Sequence, residues 1–529
     1  MNEQQSETPE VQRPITDERD EWKTYWKAQG MPWRTEPEID EERQEDLARR
    51  RGSPPEILSN EATGTYEPVS GDFEMDPLPL FSDMNPKLGR ADVEWLLATL
   101  NGGKGPIDWA SGATEESYAW LRGLDLRGAD LRNVNLSGLP LTYLRAGCTE
   151  VESYSGTPDQ VERAAANLEG TNLNEAHLEG AFFGDAHLQH ASFKKAHLEG
   201  AYFGNAHLES AHFGEAYLDG ADFGVAFLQD ADFMDARARN AGFNSARLDR
   251  ANLWRTWLHG ADLGFAHLEG AITYGTRLGS CKLDDKTLAR IRKWIPDMPA
   301  VLRPANLRMA YFDSETDLRR IFWSEENYEG PALADVHWGD INLTVADWTT
   351  MHITGDEVEA RQTKLFDGSL RSPEGMVGGF QSAVRTYRQL ATLLSAQGIV
   401  EDAGRFAYRA QLLQREVFRR QHAWGRWLSS WAIGTFAGYG FGLRNVLLAY
   451  IASLIFFAAA YLGFGHIFGP PLQWYQALLV SLTAIHGRVF FEQFGLNSAL
   501  SWVAAFESVV GIVIEGVFVA MLIQKFFSR

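Results

Sequence analysis

From residue 165 onward the apolar positions keep a strict period of five, in the order AANLEG-TNLNE-AHLEG-AFFGD-AHLQH-ASFKK-AHLEG-AYFGN. The central Leu or Phe falls at Leu168, Leu173, Leu178, Phe183, Leu188, Phe193, Leu198 and Phe203, and continues to Leu268. A small residue, usually Ala, stands two positions before most of them. Five matches neither the 3.6 of an amphipathic helix nor the two of a strand. It suits a square coil in which five residues make one side, the Leu or Phe fills the core, and the Ala fits the crowded corner. Four sides per turn stack residues twenty apart, with coils separated by about 4.8 Å. A weaker run precedes, at Leu124, Leu126, Leu131, Leu136 and Leu141, and another follows, at Leu307, Phe312, Trp338, Leu343 and Trp348. Residues 284–295 (DDKTLARIRKWI) and 314–326 read as helical insertions.

This register resembles the pentapeptide-repeat family, whose pattern is A-(D/N)-L-x-x. The resemblance implies a right-handed quadrilateral β-helix over 124–354, interrupted near 149–163, 284–304 and 314–335. Residues 91–100 (ADVEWLLATL) have helical spacing, and 91–123 is expected to cap the coil. Residues 1–90 carry ten prolines and are expected to be largely disordered, with a short helix at 40–51.

After the coil the period changes to 3.6. Residues 376–422 predict two antiparallel helices broken at Gly398, with a face of Ala403, Phe406, Ala407, Ala410 and Leu413. That face resembles a tetratricopeptide-type hairpin, and a single hairpin implies packing rather than a peptide groove.

Residues 446–465 (VLLAYIASLIFFAAAYLGFG) hold no charge and are long enough to cross about 30 Å of hydrocarbon. A span over 446–466 is therefore expected, and a second over 500–527, which carries Glu507 and Glu515. Trp424, Trp427 and Trp431 predict an interfacial helix within 424–445. Arg405, Arg409, Arg415, Arg419, Arg420, Arg426 and Arg444 precede the first span, and Lys525 and Arg529 close the second. The positive-inside rule then places both termini and the coil in the cytoplasm. The expected location is a cell (inner) membrane, multi-pass, in a prokaryote.

Between the spans, WYQALLVSLTAIHG (474–487) is apolar but too short to cross. Residues 424–529 resemble the two-transmembrane potassium-channel-like pore domain, with GYGFGLRNV (438–446) leading in. The resemblance implies a re-entrant pore helix and loop at 474–487, an α-helical linker before it and assembly as a homotetramer. Glu507, Gly511 and Glu515 lie at i, i+4 and i+8 on one helix face. By similarity to the inner helix of inwardly rectifying potassium channels, Gly511 is implied as a hinge and Glu515 as a cavity-lining carboxylate. Where such channels read T-V-G-Y-G-D, this chain reads Thr483, Ala484, Ile485, His486, Gly487 and Arg488. Ile485 stands where a glycine is needed and Arg488 where an aspartate is, so potassium selectivity through stacked carbonyls is not expected.

Composition narrows the function further. The formal net charge is -21, and residues 1–75 hold nineteen acids against nine bases, which argues against nucleic acid as a partner. DNA mimicry, known among soluble members of the repeat family, fits a membrane anchor poorly. With only Cys148 and Cys281 there is no disulfide framework, and MNEQQSETPE has no basic apolar run, so no signal peptide is expected. His177, His187, His197 and His207 recur every ten residues, so alternate members should stack on opposite faces as surface ladders rather than metal sites. The repeat carboxylates read as a solvated face. No hydrolase, nucleotide or zinc-protease motif is present, and no enzyme activity or cofactor is expected. The expected function is an oligomeric channel of the pore-loop type, assembled or gated by the coil, with lipid and permeant ions as partners and a cytoplasmic protein or ligand on the coil. The alternative is a membrane-anchored scaffold with a non-conducting pore remnant.

Overall fold

The computed structural model describes residues 13, 19–51, 86–100, 123–324, 329–364, 369–437, 443–468, 472–488 and 499–527. They form two compact units, Met1–Val358 and Glu359–Arg529.

The first unit is a four-sided coil. Parallel bridges join residues twenty apart, among them His177 with His197, Phe182 with Tyr202, His187 with His207 and Ser192 with His212. Each marker Leu or Phe from Leu168 to Phe243 is fully buried, and so is the Ala two positions before nearly all of them. Phe183, Phe203, Phe223 and Phe243 stack face to face along one wall at 4.8–4.9 Å. Phe193, Phe213 and Phe233 form a second column, and rings of the two columns meet edge to face at 5.6–6.0 Å. The edge-to-face contacts suit the ring quadrupoles, while the stacked columns repeat at the coil pitch and fill the core.

At each corner the residue two after the marker turns left-handed. Gly170, Gly180, Gly200 and Gly220 occupy this position without strain, while Glu175, Asp185, Lys195 and Val225 hold φ of 58–62° there.

Two expectations are corrected. Residues 314–324 are not a helical insertion: Leu318 and Trp323 are buried core residues, and Asp317 and Phe322 bridge to Ile272 and Arg277. One extra residue between Phe312 and Leu318 hides the period. Asp313 absorbs it, accepting from the backbone N–H groups of Gly270 (2.8 Å) and Thr316 (3.0 Å). The N-terminal region is also more ordered than its prolines imply. Helices Arg19–Ala28 and Glu41–Arg51 bury Trp22, Trp26 and Leu47. Buried Glu94, on helix Arg90–Ala98, ties them down by accepting from Thr35 N, Glu36 N and Arg90 Nε. Residues 1–12, 14–18, 52–85 and, in the cap, 101–122 lie outside the described residues.

The insertion near 284–304 folds as antiparallel pairs Cys281–Lys282 and Val301–Leu302 flanking helix Asp285–Arg292, whose first turn Asp284 caps through Thr287. Leu283, Ile291, Met298 and Leu302 give it a small core. Around 149–163 stand helices Glu150–Ser155 and Pro158–Ala164, each opened by a capping box.

In the second unit, helices Pro373–Ala396 and Val400–Arg420 pair across Gly398, which takes φ +83°. Ala403, Phe406, Ala410, Leu413 and Val417 face Phe380, Val384, Tyr387, Leu390 and Leu394; Ala407 is only half-buried. Helix Trp424–Ala437 leaves Trp424, Leu428, Trp431 and Ile433 exposed. The long apolar helices Leu443–Phe468 and Ala499–Phe527 follow, with short helix Trp474–Ala484 between them. Within them, Val446–Phe464 and Leu500–Ala520 are long and apolar enough to cross a membrane. Of the expected lead-in, 438–442 lies outside the described residues.

Candidate functional site

The short helix packs against both long helices, burying Ala477, Ser481 and Ala484 against Phe457, Tyr461, Leu500 and Ala504. A stripe of the second long helix docks on its C-terminal end. Ala504, Glu507, Ser508, Gly511 and Glu515 repeat at i, i+3, i+4, the spacing of one helix face.

Glu507 is fully buried. Its carboxylate accepts from Tyr461 Oη at 2.8 Å and Ser481 Oγ at 2.5 Å, joining all three helices. Ser508 Oγ donates to the Ala484 carbonyl at 2.7 Å. Gly511 lies against the Ile485 carbonyl, where a Cβ would overlap backbone. Gly511 is therefore a close-approach residue. Open space surrounds Gly516 instead.

Residues 483–488 close the helix rather than extending from it. Ile485 is helical (φ −61°) and buried, and Gly487 turns left-handed at φ +70°. The Gly487 N–H donates to Ala484 O (2.9 Å) and the Arg488 N–H to Thr483 O (3.0 Å). This is the glycine-terminated Schellman closure, which consumes the last carbonyls of the helix. Thr483 spends its hydroxyl on its own helix, bonding Leu479 O and Val480 O. Beyond it, exposed His486 contacts Glu515 through Nδ1 and Tyr450 Oη through Nε2 at 3.0 Å. The His486 and Glu515 side chains keep 44% and 46% of their surface. On a bundle whose other exposed side chains include Val509, Ile512, Val513 and Val519, this is a polar opening.

The first unit holds a second assembly that the repeat pattern alone does not show. Glu179, Glu199, Asp219, Arg239 and His259 stand twenty apart, one position after the markers, and all are buried. The expectation of a solvated carboxylate face is overturned here, because the insertion helix supplies ion pairs over them. Arg239 grips Asp219 with Nε at 2.8 Å and Nη2 at 2.7 Å. Arg290 of the insertion approaches Asp219 at 3.8 Å and Glu199 at 3.9 Å. Ile295 lies over Gly200 and Gly220, and a side chain at Gly220 would collide with it.

Beside this ladder run stacked rings. His177, His197 and Tyr217 lie parallel at 4.7–4.8 Å, and Arg237 continues the column over Tyr217. His187, His207 and Phe227 stack likewise on the other series. The hydrogen bond to Glu179 raises the His177 pKa, whereas burial lowers that of His187.

The pentapeptide-repeat family model matches residues 117–142, 166–205, 196–237, 216–255 and 246–285, in eight copies. The coil is built of pentapeptide repeats. Several solved structures are similar to it. The pentapeptide repeat protein HetL, involved in heterocyst differentiation regulation in the cyanobacterium Nostoc sp. strain PCC 7120, is 19% identical, with 47% of this chain and 94% of that chain covered and a TM-score of 0.21. QnrB1, a plasmid-mediated fluoroquinolone resistance protein, is 15% identical over 43% of this chain and 92% of its own, with a TM-score of 0.15. Rfr23, from the cyanobacterium Cyanothece 51142, is 18% identical over 40% and 90%, with a TM-score of 0.11. No curated protein matches the sequence significantly. The pentapeptide-repeat match ends at residue 285, so the helical unit is read from its own geometry.

Proposed function

We propose that this pentapeptide-repeat protein is an oligomeric membrane protein of the two-span, re-entrant-helix type, passing ions with little preference for potassium and carrying its coil on the cytoplasmic side. The observation that carries this reading is the half-exposed group of Tyr450, His486 and Glu515 on an otherwise apolar bundle. Hydrocarbon cannot solvate such groups, so at membrane depth they must face water or a sister subunit. A short helix that re-enters between two spans needs the same shelter. Copies arranged about an axis, four by resemblance to pore-loop channels, satisfy both demands and line the axis with polar groups. Among the described residues the closed end of the short helix offers no row of carbonyls to replace a potassium hydration shell, which supports weak selectivity. Arginines ahead of the first span and Lys525 and Arg529 after the second support a cytoplasmic coil. There it offers its ladders to a cytoplasmic protein or ligand.

Purified protein in planar bilayers tests the reading. Discrete currents with similar permeability to sodium and potassium are expected, with weaker block by polyvalent cations in Glu515→Gln. Silent bilayers, with Glu515→Gln behaving like wild type in cells, would overturn it. The same closed helix end and the internally satisfied Glu507 favour a second reading, a non-conducting anchor that presents the coil as a scaffold.

A further inference from the structure

The four residues His177, Glu179, His197 and Glu199 come from one motif, A-H-L-E-G, repeated twenty positions apart. The coil therefore superposes them: two imidazoles in one column and two carboxylates in the next. His177 and His197 stack with centroids 4.8 Å apart and planes 7° from parallel. His177 Nδ1 lies 3.2 Å from Glu179 Oε1, and His197 Nδ1 lies 3.8 Å from Glu199 Oε2. The donor atoms of His177, Glu179 and His197 all fall within 4.8 Å of one another.

The carboxylates are the unusual part. Glu179 and Glu199 retain 6% and 1% of their side-chain surface and sit one coil apart. Two buried like charges at that separation need compensation. Of these two carboxylates Arg290 approaches Glu199 alone, at Oε1 across 3.9 Å, and Lys293 acts on the site from further away. Glu199 Oε2, on the histidine side, is buried without a hydrogen bond among the described residues. An unpartnered buried oxygen aimed at an imidazole nitrogen is a vacant donor.

We propose that these four side chains form a binding site for a divalent transition metal of the zinc class. Two neutral imidazoles and two carboxylates are a donor set zinc accepts, and the ion neutralises both buried charges. Bonds of about 2.0–2.2 Å bring tetrahedral donors to about 3.4 Å apart. The two rings must tilt toward each other to reach this, which their partial exposure allows.

The coil contains its own control. His187 and His207 stack at 5.4 Å on the other series, but Gln189 stands where a glutamate would complete the set. Half the carboxylate charge is missing there.

The test is titration of the full-length protein in detergent, after chelator treatment, with Zn2+ by calorimetry and with Co2+ by visible absorption. Wild type should bind an equivalent that weakens at least tenfold in His177→Asn and in His197→Asn and is unchanged in His187→Asn. Glu199→Gln, which keeps the volume of the buried side chain, should weaken it similarly. No saturable binding, equal affinity in wild type and His177→Asn, or the same loss in His187→Asn would each overturn the assignment.

Discussion

Tyr461 donates its hydroxyl to Glu507 across 2.8 Å, linking residues 46 apart in sequence and pinning the two long apolar helices to each other. Ser481 of the short helix adds its own hydroxyl to the same carboxylate. Removing the acceptor strands the buried Tyr461 hydroxyl, at about 1–3 kcal/mol, while Ser481 keeps the Leu454 carbonyl within reach at 3.1 Å. Glu507→Ala should therefore unfold at clearly lower temperature, followed by tryptophan fluorescence in detergent. Glu507→Gln, which keeps one acceptor oxygen, should fall between. An alanine variant as stable as wild type would remove the carboxylate from its bridging role.

Gly511 and Gly516 make opposite predictions although they lie on the same helix. Alanine ordinarily favours a helix over glycine by about 1 kcal/mol. At Gly516 nothing opposes that gain. At Gly511 the new methyl meets the Ile485 backbone, and overpacking of that kind costs about 1–3 kcal/mol. Gly511→Ala should lower the unfolding temperature and Gly516→Ala should not. Equal behaviour of the two variants would contradict the close approach of Gly511 to Ile485.

Val225 occupies a left-handed corner at φ 60°, is exposed, and is β-branched. That conformation costs an L-residue about 1–2 kcal/mol. Asn205 and Asn240 stand at equivalent corners. Val225→Asn should raise the coil's resistance to urea by about 1 kcal/mol, measured from the denaturation midpoint.

The two cysteines should differ in reactivity. Burial pushes the Cys148 thiol up to about 12, and Cys281 is partly exposed. Because the folded value lies above the ordinary one, the stability contributed by the neutral thiol is complete below the ordinary value and is lost as pH rises through about 12. Iodoacetamide at pH 8 should label Cys281 first and reach Cys148 only on unfolding. Mass spectrometry of the labelled peptides reads the difference.

The core of the coil is legible because its rule is local: each marker Leu or Phe predicts its own burial. A single inserted residue after Phe312 disguises Leu318 and Trp323, because the step from Phe312 to Leu318 is six residues and breaks the period of five. The buried ladder from Glu179 to His259 was illegible for another reason. Each member occupies a turn position that elsewhere on the coil carries residues as varied as Glu169, Gly204 and Met234, and only the fold of residues 281–302 over it decides that these are covered. In the helical unit, spacing placed Glu507, Gly511 and Glu515 on one face. It could not say that Tyr461 and Ser481 wait opposite the first of them while the last stays half-exposed.

Assembly about a shared axis is what the channel reading of the helical unit depends on. Single-particle imaging of the full-length protein in lipid nanodiscs measures it directly. Several protomers around one axis, with Glu515 directed toward that axis, are the expected result. Solitary protomers, or rings whose Glu515 side chains face lipid, would contradict the account.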